Sequence, residues 1–480
     1  MGSCPSTNII RKSLFDGRFY PHGQKVLKRE LEFLFKSAVA PVEKGILPQA
    51  IISPHAGYVF SGEVAASAFN QIPAGASYKR VFVLASSHHL FFKGASVYCD
   101  GDYQTPLGDI KVDRELAREL VENHDIFNNN REAHNLEHSL EVQLPFLQYR
   151  LADGFLLVPV ILGTQSDKDC ESIARVLSPY FNKGNLFVIS TDFSHYPEYR
   201  DATKVDKLTS DAIITNNPDV LMRVIQQNKK KNYNNLATSL CGWTSVLTLM
   251  YITQNKNVEY KKIIYKNSGD IALYGDKSRV VGYQAIAVFN KEELPFTLSG
   301  KEKHYLLEIA RNSLERYFGI KNRAGVIQNV ESGKLSIQTG AFVSLYNKGK
   351  LRGCIGSFFD STPLPALIER LAVSAAKDRR FDSVTYDEVP GLVIEVSVLT
   401  PLKRINSINE IELGKHGIYI QKGGFSGTFL PQVAEKTGWS LEEFLGHCSK
   451  DKAGLGWDGW KTADIYTYEA IVFREGEELG

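Results

Sequence analysis

Three short apolar runs in the first half of the chain each end in polar sequence that contains histidine. AIIS at 50–53 leads into PHAGY, RVFVLAS at 80–86 leads into SHH, and NLFVIS at 185–190 leads into TDFSH. Near-continuous apolar runs of this length are typical of strands that are buried on both faces of a parallel sheet. Because ligand crevices in such sheets lie beyond the carboxyl ends of the strands, we expect the three polar ends to meet at one edge.

Helix-like segments separate these runs and favour an α/β unit. They lie at 62–71, 114–123 and 137–149, and two further strand-like runs lie at 155–162 and 283–289. The alternation of strands and helices predicts a mainly parallel or mixed sheet flanked by helices.

The second half of the chain has a different pattern of predicted helices and strands, and a polar stretch at 290–302 separates the two halves. Helical patterns cover 303–318 and the region near 363–376. Strand-like runs, heavily punctuated by Gly and Pro, lie at 341–346, 392–399 and 416–421. This pattern predicts a smaller α+β domain with an antiparallel sheet.

Length and composition set the broad class of the protein. A chain of 480 residues is too long for one ordinary core, and a net charge of +2 gives no indication of nucleic-acid binding. No apolar run approaches the roughly 20 residues that span a bilayer. The start of the chain has no secretory signal, although Gly2 and Ser6 fit a loose acylation pattern that matches by chance in many proteins. Six scattered cysteines predict a reduced, cytoplasmic protein without a disulfide framework.

The strand ends carry the candidate site residues. These are His55, His88, His89, Asp192 and His195. Loops at strand ends are polar in most proteins, but histidine accounts for only 11 of 480 residues, so three consecutive runs that end in histidine favour one shared site. Imidazole is the commonest protein metal ligand, and a catalytic metal needs about three protein ligands.

Two segments could supply a further ligand. In NLEHSLEVQLPF at 135–146, Glu137, His138 and Glu141 would share one face of a helix. In TSLCGWTSVLTLMYI at 238–252, Cys241 stands before an apolar helix whose N-terminus would favour the thiolate. A small buried cysteine is the alternative at that position. Spacing alone does not choose between the two segments.

Six motifs in order resemble the Memo family. They are SPHAGYVFSG, SSHH, YQTPLGDIKVD, LEHSLEVQLPF, STDFSHY and SLCGW, and they cover residues 8–290. The resemblance implies a fold similar to class III extradiol dioxygenases, which hold Fe(II) with two His and one Glu. In Memo proteins the site is two His and one Cys, which implies His55, His88 and Cys241 as metal ligands here. A cysteine in place of the glutamate puts ring cleavage itself in question.

The same resemblance implies roles for the neighbouring residues. His195 occupies the position of a catalytic histidine, with Asp192 orienting it. His138 resembles a further active-site histidine, and Glu137 and Glu141 would orient the ligands or balance their charge. His89 is either part of that outer shell or a core residue.

The fold relatives make Fe(II) the first choice of metal, with copper and zinc as alternatives. The resulting prediction is a metal-dependent, dioxygenase-like oxidoreductase that acts on a small molecule of unknown identity. One alternative is a zinc hydrolase or lyase at the same site. The other is a non-catalytic adaptor that binds phosphopeptides, as is discussed for eukaryotic Memo relatives.

The second half resembles the AMMECR family over residues 301–476. The motifs are GAFVSLYNKGKLRGCIGSF, AAKDRRFDSV, KHGIYIQKGGFSGTFLPQVA and CSKDKAGLGWDGW. Together the two halves look like proteins B and A of the AmmeMemoRadiSam system, in which they accompany a radical SAM enzyme. The resemblance therefore implies a radical SAM partner, and it implies no activity for this domain.

The RGCIG motif carries the most reactive side chain of the second half. Arg352 beside Cys354 would lower the pKa of the thiol, and Gly353 and Gly356 would permit a tight loop or a close backbone approach. His416 or Cys448 could complete a nucleophile–base pair with Cys354. The alternative is that Cys354 packs beneath a hairpin and the glycines only shape a turn.

Overall fold

A computed structural model describes residue 4 and residues 8–231, 233–271, 275–291, 296–320, 334–405 and 407–479. Gly2 and Ser6 of the acylation pattern lie outside the described residues, as does Pro295 in the predicted boundary. The chain divides into two compact units, residues 1–294 and 295–480. Among the described helices, none combines the length and the apolar character that crossing a bilayer requires.

The N-terminal unit alternates strands and helices, as predicted. The described strands are Ala50–Ser53 (β1), Arg80–Ser86 (β2), Ala95–Val97 (β3), Tyr103–Thr105 (β4), Gly108–Ile110 (β5), Phe127–Asn128 (β6), Leu156–Leu162 (β7), Asn185–Ser190 (β8), Val258–Asn267 (β9) and Gly282–Asn290 (β10). The described helices are Gln24–Ser37 (α1), Tyr58–Phe69 (α2), Arg114–Asn123 (α3), Arg131–Leu136 (α4), His138–Glu141 (α5), Leu144–Arg150 (α6), Asp167–Leu177 (α7), Tyr199–Ile214 (α8), Pro218–Lys230 (α9) and Trp243–Thr253 (α10).

Eight of these strands form one mixed sheet in the order β6-β3-β7-β2-β8-β1-β10-β9. The central strands β7, β2, β8 and β1 are parallel, and β10 and β9 extend the sheet in antiparallel fashion. Successive residues of a strand enter opposite apolar layers: Ile51 and Val83 belong to one core, and Ile52 and Phe82 to the other. Burial on both faces explains why these strands are apolar throughout.

The helix predicted over 137–149 is interrupted. Helix α5 ends at Glu141, and α6 begins at Leu144 with Pro145 in its first turn. Proline has no N–H to donate to the carbonyl four residues earlier, and its ring crowds that carbonyl. The break places Glu137 at the N-cap of α5 instead of on a long helical face.

Cys4 and Cys99 form a disulfide, so the prediction of unpaired cysteines is wrong for this pair. Residues 8–11 run alongside 100–104, where Ile9 N–H donates to the Asp100 carbonyl at 2.9 Å. This pairing brings together two cysteines that are 95 residues apart in sequence. The remaining free cysteines in the described part of the chain are Cys170, Cys241, Cys354 and Cys448.

The C-terminal unit is α+β with antiparallel sheets, as predicted. Its described helices are Gly300–Tyr317 (α11), Leu364–Ala375 (α12), Pro431–Thr437 (α13) and Leu441–His447 (α14). Its described strands are Ala341–Asn347 (β11), Lys350–Ser357 (β12), Leu392–Leu399 (β13), Lys403–Arg404 (β14), Gly417–Lys422 (β15), Phe425–Phe429 (β16), Asp464–Tyr468 (β17) and Ala470–Arg474 (β18). They form two four-stranded sheets, β12-β11-β13-β18 and β14-β17-β15-β16.

Candidate metal centre

Three neighbouring strands end at the same edge of the large sheet. Strand β8 lies between β2 and β1, with Ser190 paired to Ser53 on one side and to Ala85 on the other. The segments that follow these strand ends therefore start at the same level. They carry His55, His88 and the Asp192–His195 pair.

Cys241 joins this edge from a fourth segment. It directly precedes Gly242, the N-cap residue of α10, and its N–H donates to the Asp192 carbonyl at 3.1 Å. A Cβ atom at Gly242 would lie 2.7 Å from the Ser190 carbonyl oxygen, so only glycine permits this close approach. This close packing places the Cys241 thiol next to the carboxyl ends of β8 and of its neighbours β1 and β2.

The side chains of His55, His88 and Cys241 converge. The Cys241 Sγ lies 2.9 Å from His88 Nε2 and 3.6 Å from His55 Nε2. One donor atom from each of the three residues lies within 4.8 Å of the others, which is compatible with a single metal ion. His55 is buried, whereas His88 and Cys241 are partly accessible, so the group can be reached from solvent.

Each histidine is held through its other ring nitrogen. His55 Nδ1 lies 2.9 Å from the Ser190 hydroxyl, and His88 Nδ1 lies 2.8 Å from Glu137 Oε1. Partners of this kind fix the ring orientation of metal-ligating histidines. Both Nε2 atoms are thereby presented to Cys241.

A second donor group consists of His88, Glu137 and His138, and the hydrogen bonds argue against it as the metal site. The Glu137 carboxylate accepts the His88 backbone N–H at 2.7 Å, and the Ser139 N–H and hydroxyl at 3.1 and 2.7 Å, in addition to the His88 ring. Its lone pairs are therefore occupied by donors. Glu137 acts as the acceptor that orients His88.

Interactions within the group stabilise a thiolate on Cys241 and a proton on His88, and that proton has to leave before the His88 ring can bind a metal. Burial alone would raise the pKa of Cys241, but its interactions with His195, His55 and His88 lower that pKa well below the ordinary value. Burial alone would lower the pKa of His88, but its hydrogen bonds to Cys241 and Glu137 raise it to about 11. The thiolate form that binds metals is thus stabilised in this protein.

His195 lies at the rim of this group with an unused nitrogen. Its Nε2 is buried and, within the described residues, has no hydrogen-bond partner. Asp192 does not accept a hydrogen bond from the His195 ring, because its Oδ2 lies 3.9 Å from His195 Nε2 and its Oδ1 accepts the His55 backbone N–H at 2.8 Å. Burial alone would lower the pKa of His195, but its interaction with Cys241 and the charge of Asp192 raise it.

His138 lies beside the two histidines of the donor group. Its ring centroid lies 5.0 Å from that of His88 and 5.5 Å from that of His55. Phe19 stacks on its other side at 4.4 Å. Burial and the nearby His55 lower the pKa of His138 to about 3, so it is neutral at physiological pH. His89, in contrast, is exposed.

Glu141 does not contact the histidines, contrary to the prediction. It is fully buried and binds Arg11 Nη1 at 2.6 Å and the Tyr20 hydroxyl at 2.7 Å, together with the backbone N–H groups of Leu14 and Phe15. Glu141 therefore holds the N-terminal segment 11–20 in place, and this segment positions Phe19 against His138. Sequence reasoning missed this segment because its partners lie more than 120 residues away.

Asp206 also lies behind the site and was not predicted. It is buried on α8 and accepts the Ser194 N–H at 2.9 Å, the Ser194 hydroxyl at 3.0 Å and the Tyr265 hydroxyl at 2.8 Å. Burial raises its pKa to about 7. Because Ser194 directly precedes His195, Asp206 fixes the segment that presents His195.

The predicted cluster of the C-terminal unit does not assemble. Gly353 and Gly356 lie within strand β12, where a Cβ would overlap the Ala375 carbonyl and the Phe342 ring respectively, so they serve close packing and not a loop. A bulge at the same strand redirects Arg352, which binds Glu388 through two hydrogen bonds of 2.9 and 3.1 Å.

Cys354 accepts hydrogen bonds from two neighbouring side chains. Its Sγ accepts the Ser344 hydroxyl at 3.2 Å, and its carbonyl accepts Arg380 Nη2 at 2.6 Å. His416 Nδ1 accepts the Glu412 N–H at 2.9 Å, and Cys448 is buried in a separate apolar cluster, where burial raises its pKa to about 12. In the described part of the unit, no nucleophile–base pair joins these three residues.

The fold and the donor group define a mixed-sheet α/β protein with a candidate metal centre at the carboxyl ends of its strands. A family model described as Memo-like protein matches residues 11–287, and a model described as AMMECR1 matches residues 307–473. The chain belongs to the Memo family, and the Memo-like region is fused to an AMMECR1 region.

Two MEMO1 family proteins and one solved structure, all from archaea, are similar to parts of this chain. A MEMO1 family protein of Desulfurococcus amylolyticus is 31% identical over 58% of this chain and 99% of its own length. The MEMO1 family protein Ta0237 of Thermoplasma acidophilum is 33% identical over 58% of this chain and 97% of its own length. A crystal structure of the uncharacterized protein PH0010 from Pyrococcus horikoshii is 34% identical, covers 37% of this chain and 92% of its own, and has a TM-score of 0.29.

Proposed function

We propose that the N-terminal unit is a metal-dependent enzyme of the oxidoreductase class that acts on a small molecule. His55, His88 and Cys241 would hold the metal. The observation that carries the proposal is the convergence of two oriented imidazoles and a thiolate from three distant segments within 4.8 Å. An adjacent histidine with a buried, unpartnered nitrogen supports catalysis over simple metal storage.

The donor set fits a borderline or soft metal ion, and iron is our first choice. Ferrous iron would supply redox chemistry with O₂, copper would supply one-electron chemistry, and zinc would polarise a carbonyl or activate water. The fit rests on the imidazole and thiolate chemistry of the three residues. Hard cations such as Mg²⁺ prefer oxygen ligands, which this group does not offer.

The protein's own residues have distinct tasks in this proposal. Glu137 and Ser190 keep the two ligand rings in position, so the geometry does not have to form during the reaction. His195 is the candidate general acid, because its interaction with Cys241 and the charge of Asp192 raise its pKa against the effect of burial. His138 is neutral and stacked on Phe19, and it therefore shapes the pocket without adding charge.

Metal content of anaerobically purified protein tests the proposal. The His55→Ala/His88→Ala double variant should lose the near-stoichiometric iron of the wild type, together with O₂ uptake in the presence of phenolic or thiol candidates. His89→Ala is the matched control, since it removes an adjacent exposed histidine. Unchanged metal content in the double variant would contradict the proposal.

A zinc-dependent hydrolase or lyase at the same site is the second candidate. The observation that favours it is the Cys241 thiolate, since a cysteine–histidine donor set with an open position is also used by catalytic zinc enzymes. Stoichiometric zinc without O₂ uptake would identify this case. Protein that binds no metal under any reconstitution would instead support a non-catalytic adaptor.

We also propose that the activity serves a radical SAM partner system in the cytoplasm. The support is the fusion of the Memo-like and AMMECR1 regions in one chain, because tethering raises the effective concentration of two parts of a shared task. Co-purification with a radical SAM enzyme of the same genome would support this partner. Failure to co-purify after co-expression would count against it.

A further inference from the structure

The chain adopts a strained conformation directly after His195. Tyr196 has a φ of 72°, a left-handed conformation that costs a bulky residue about 1–3 kcal/mol. Backbone hydrogen bonds on both sides impose it. The Tyr196 N–H donates to the Val280 carbonyl at 2.7 Å, the Val280 N–H donates to the Pro197 carbonyl at 2.9 Å, and the His195 N–H donates to the Thr238 carbonyl at 3.0 Å.

The strained residue places an aromatic ring beside the proposed acid. The Tyr196 and His195 ring centroids are 5.5 Å apart, and Tyr196 is 42% exposed. Core packing does not explain a strained tyrosine that remains this accessible. Strain of this kind is concentrated at functional sites, where the surrounding structure holds it.

Two cationic side chains of the segment 277–279 lie over the rings of Tyr196 and Tyr199. The Arg279 guanidinium carbon lies 4.7 Å from the Tyr196 centroid, and Lys277 Nζ lies 4.9 Å from the Tyr199 centroid. Both side chains are exposed, and neither forms a salt bridge within the described residues. Asp276 accepts the Ser278 N–H at 2.8 Å, and this hydrogen bond together with the nearby charge of Arg279 lowers the pKa of Asp276. We call residues 277–279 the basic rim.

We infer that the substrate carries an anionic group, a carboxylate or a phosphate, which the basic rim binds while the reacting part lies beside His195. The inference rests on the proposed function, because it assigns the substrate class of the same site. A guanidinium that lies flat on a ring keeps its N–H edge free, and that edge matches a carboxylate or phosphate with two hydrogen bonds. Tyr196, whose ring centroid lies 5.5 Å from that of His195, keeps the Arg279 guanidinium near the proposed acid.

The test uses the full chain loaded with Fe(III) and two catechol probes. One probe is 3,4-dihydroxybenzoate, which is anionic, and the other is 3,4-dihydroxybenzyl alcohol, which is neutral. Their binding is followed by the visible charge-transfer absorption of iron–catechol complexes. The ratio of the two dissociation constants is the readout, because it cancels differences in iron affinity between variants.

Arg279→Gln should lower the preference for the anionic probe by about tenfold, the typical contribution of a charge-assisted hydrogen bond. Arg223→Gln, which removes an exposed arginine on α9, should leave the preference unchanged. Equal ratios in the wild type and Arg279→Gln would overturn the inference while leaving the proposed function intact. If no iron binds and neither probe gives an absorption band, both the inference and the proposed function are contradicted.

Competition with inorganic phosphate distinguishes a phosphate from a carboxylate as the group that the basic rim binds. If phosphate weakens binding of the anionic probe in the wild type but not in Arg279→Gln, the basic rim accepts phosphate groups. If phosphate has no effect while the preference persists, the rim selects a carboxylate.

The Tyr196→Asn variant removes the aromatic ring but keeps a residue that adopts the same backbone conformation. Asparagine tolerates positive φ, so the variant should be at least as stable as the wild type, yet it removes the support of Arg279. We expect the preference for the anionic probe to fall. Full preference in this variant would contradict the role of the Tyr196 ring.

Discussion

At the residue scale, Glu137 fixes the orientation of His88 in the candidate metal centre. Its carboxylate binds both the ring and the backbone of His88 and is itself held by Ser139. An amide at this position would replace one acceptor oxygen by a donor group that faces other donors. The orientation of the His88 ring thus depends on a residue outside the His55–His88–Cys241 group.

Glu137→Gln should lower metal affinity by about 10- to 100-fold, the usual effect of losing an outer-shell carboxylate. Competition with a chelator of known affinity measures the change. Glu122→Gln removes an exposed acid on α3 and is the charge-matched control. Wild-type affinity in Glu137→Gln would show that His88 does not need this partner.

The buried Asp206 predicts a pH dependence of stability. Its pKa is raised from 3.8 to about 7, so between these values the folded state retains a proton that the unfolded state has released. Its contribution to the free energy of unfolding is complete below about pH 3.8 and declines as the pH rises to about 7. Above pH 7 no further loss is expected.

Comparison with Asp206→Asn isolates this effect. The difference in free energy of unfolding, wild type minus variant, should fall by on the order of 4 kcal/mol between pH 4 and 7. Denaturant titrations at several pH values give this difference. A difference that stays constant or rises over this range would refute the assignment to Asp206.

At the element scale, the sheet was predictable and the short helices were not. Strands β1, β2 and β8 follow from uninterrupted apolar runs, and their parallel pairing brings His55, His88 and His195 to one edge. The break between α5 and α6 depends on Pro145, and the fate of Glu141 depends on Arg11, a partner remote in sequence. Periodicity within a segment contains no information about such a partner.

The RGCIG motif illustrates the same limit. Glycines next to a cysteine are compatible with a loop, whereas β12 uses them to pack against Ala375 and Phe342. The choice between Cys241 and the segment 135–146 as the source of a further ligand was likewise open from spacing. It followed only from family resemblance, and the structure supplies the reason for the geometry in the close approach at Gly242.

Gly353→Ala should destabilise the C-terminal unit by about 3 kcal/mol, since its methyl group would overlap the Ala375 carbonyl of α12. Gly424→Ala, in the turn between β15 and β16, meets no atom within 4 Å and should change stability by no more than about 0.5 kcal/mol. Denaturant unfolding followed by circular dichroism compares the two variants. Equal stability would contradict the close packing at Gly353.

At the scale of the whole molecule, each unit has cores of its own. Apolar layers cover both faces of the large sheet in the N-terminal unit, and two other clusters lie in the C-terminal unit. The candidate metal ligands all belong to the first unit. A ligand that binds only the folded state stabilises the part that binds it.

Metal should therefore raise the unfolding temperature of one transition and leave the other unchanged. At a free metal concentration 100 times the dissociation constant, the gain is about 2.7 kcal/mol. Scanning calorimetry of the full chain with and without metal measures it, and His55→Ala/His88→Ala should abolish the shift. An equal shift of both transitions would contradict a site confined to the N-terminal unit.

The long separations within the site have a consequence for biosynthesis. Cys241 follows His55 by 186 residues, and Glu141 follows Arg11 by 130. At about 5–20 residues per second, roughly 10–40 s separate the appearance of the first ligand from that of the last. The nascent chain therefore carries an incomplete set of candidate ligands during most of its translation, and a metal that needs all three residues would bind only after Cys241 has left the ribosome.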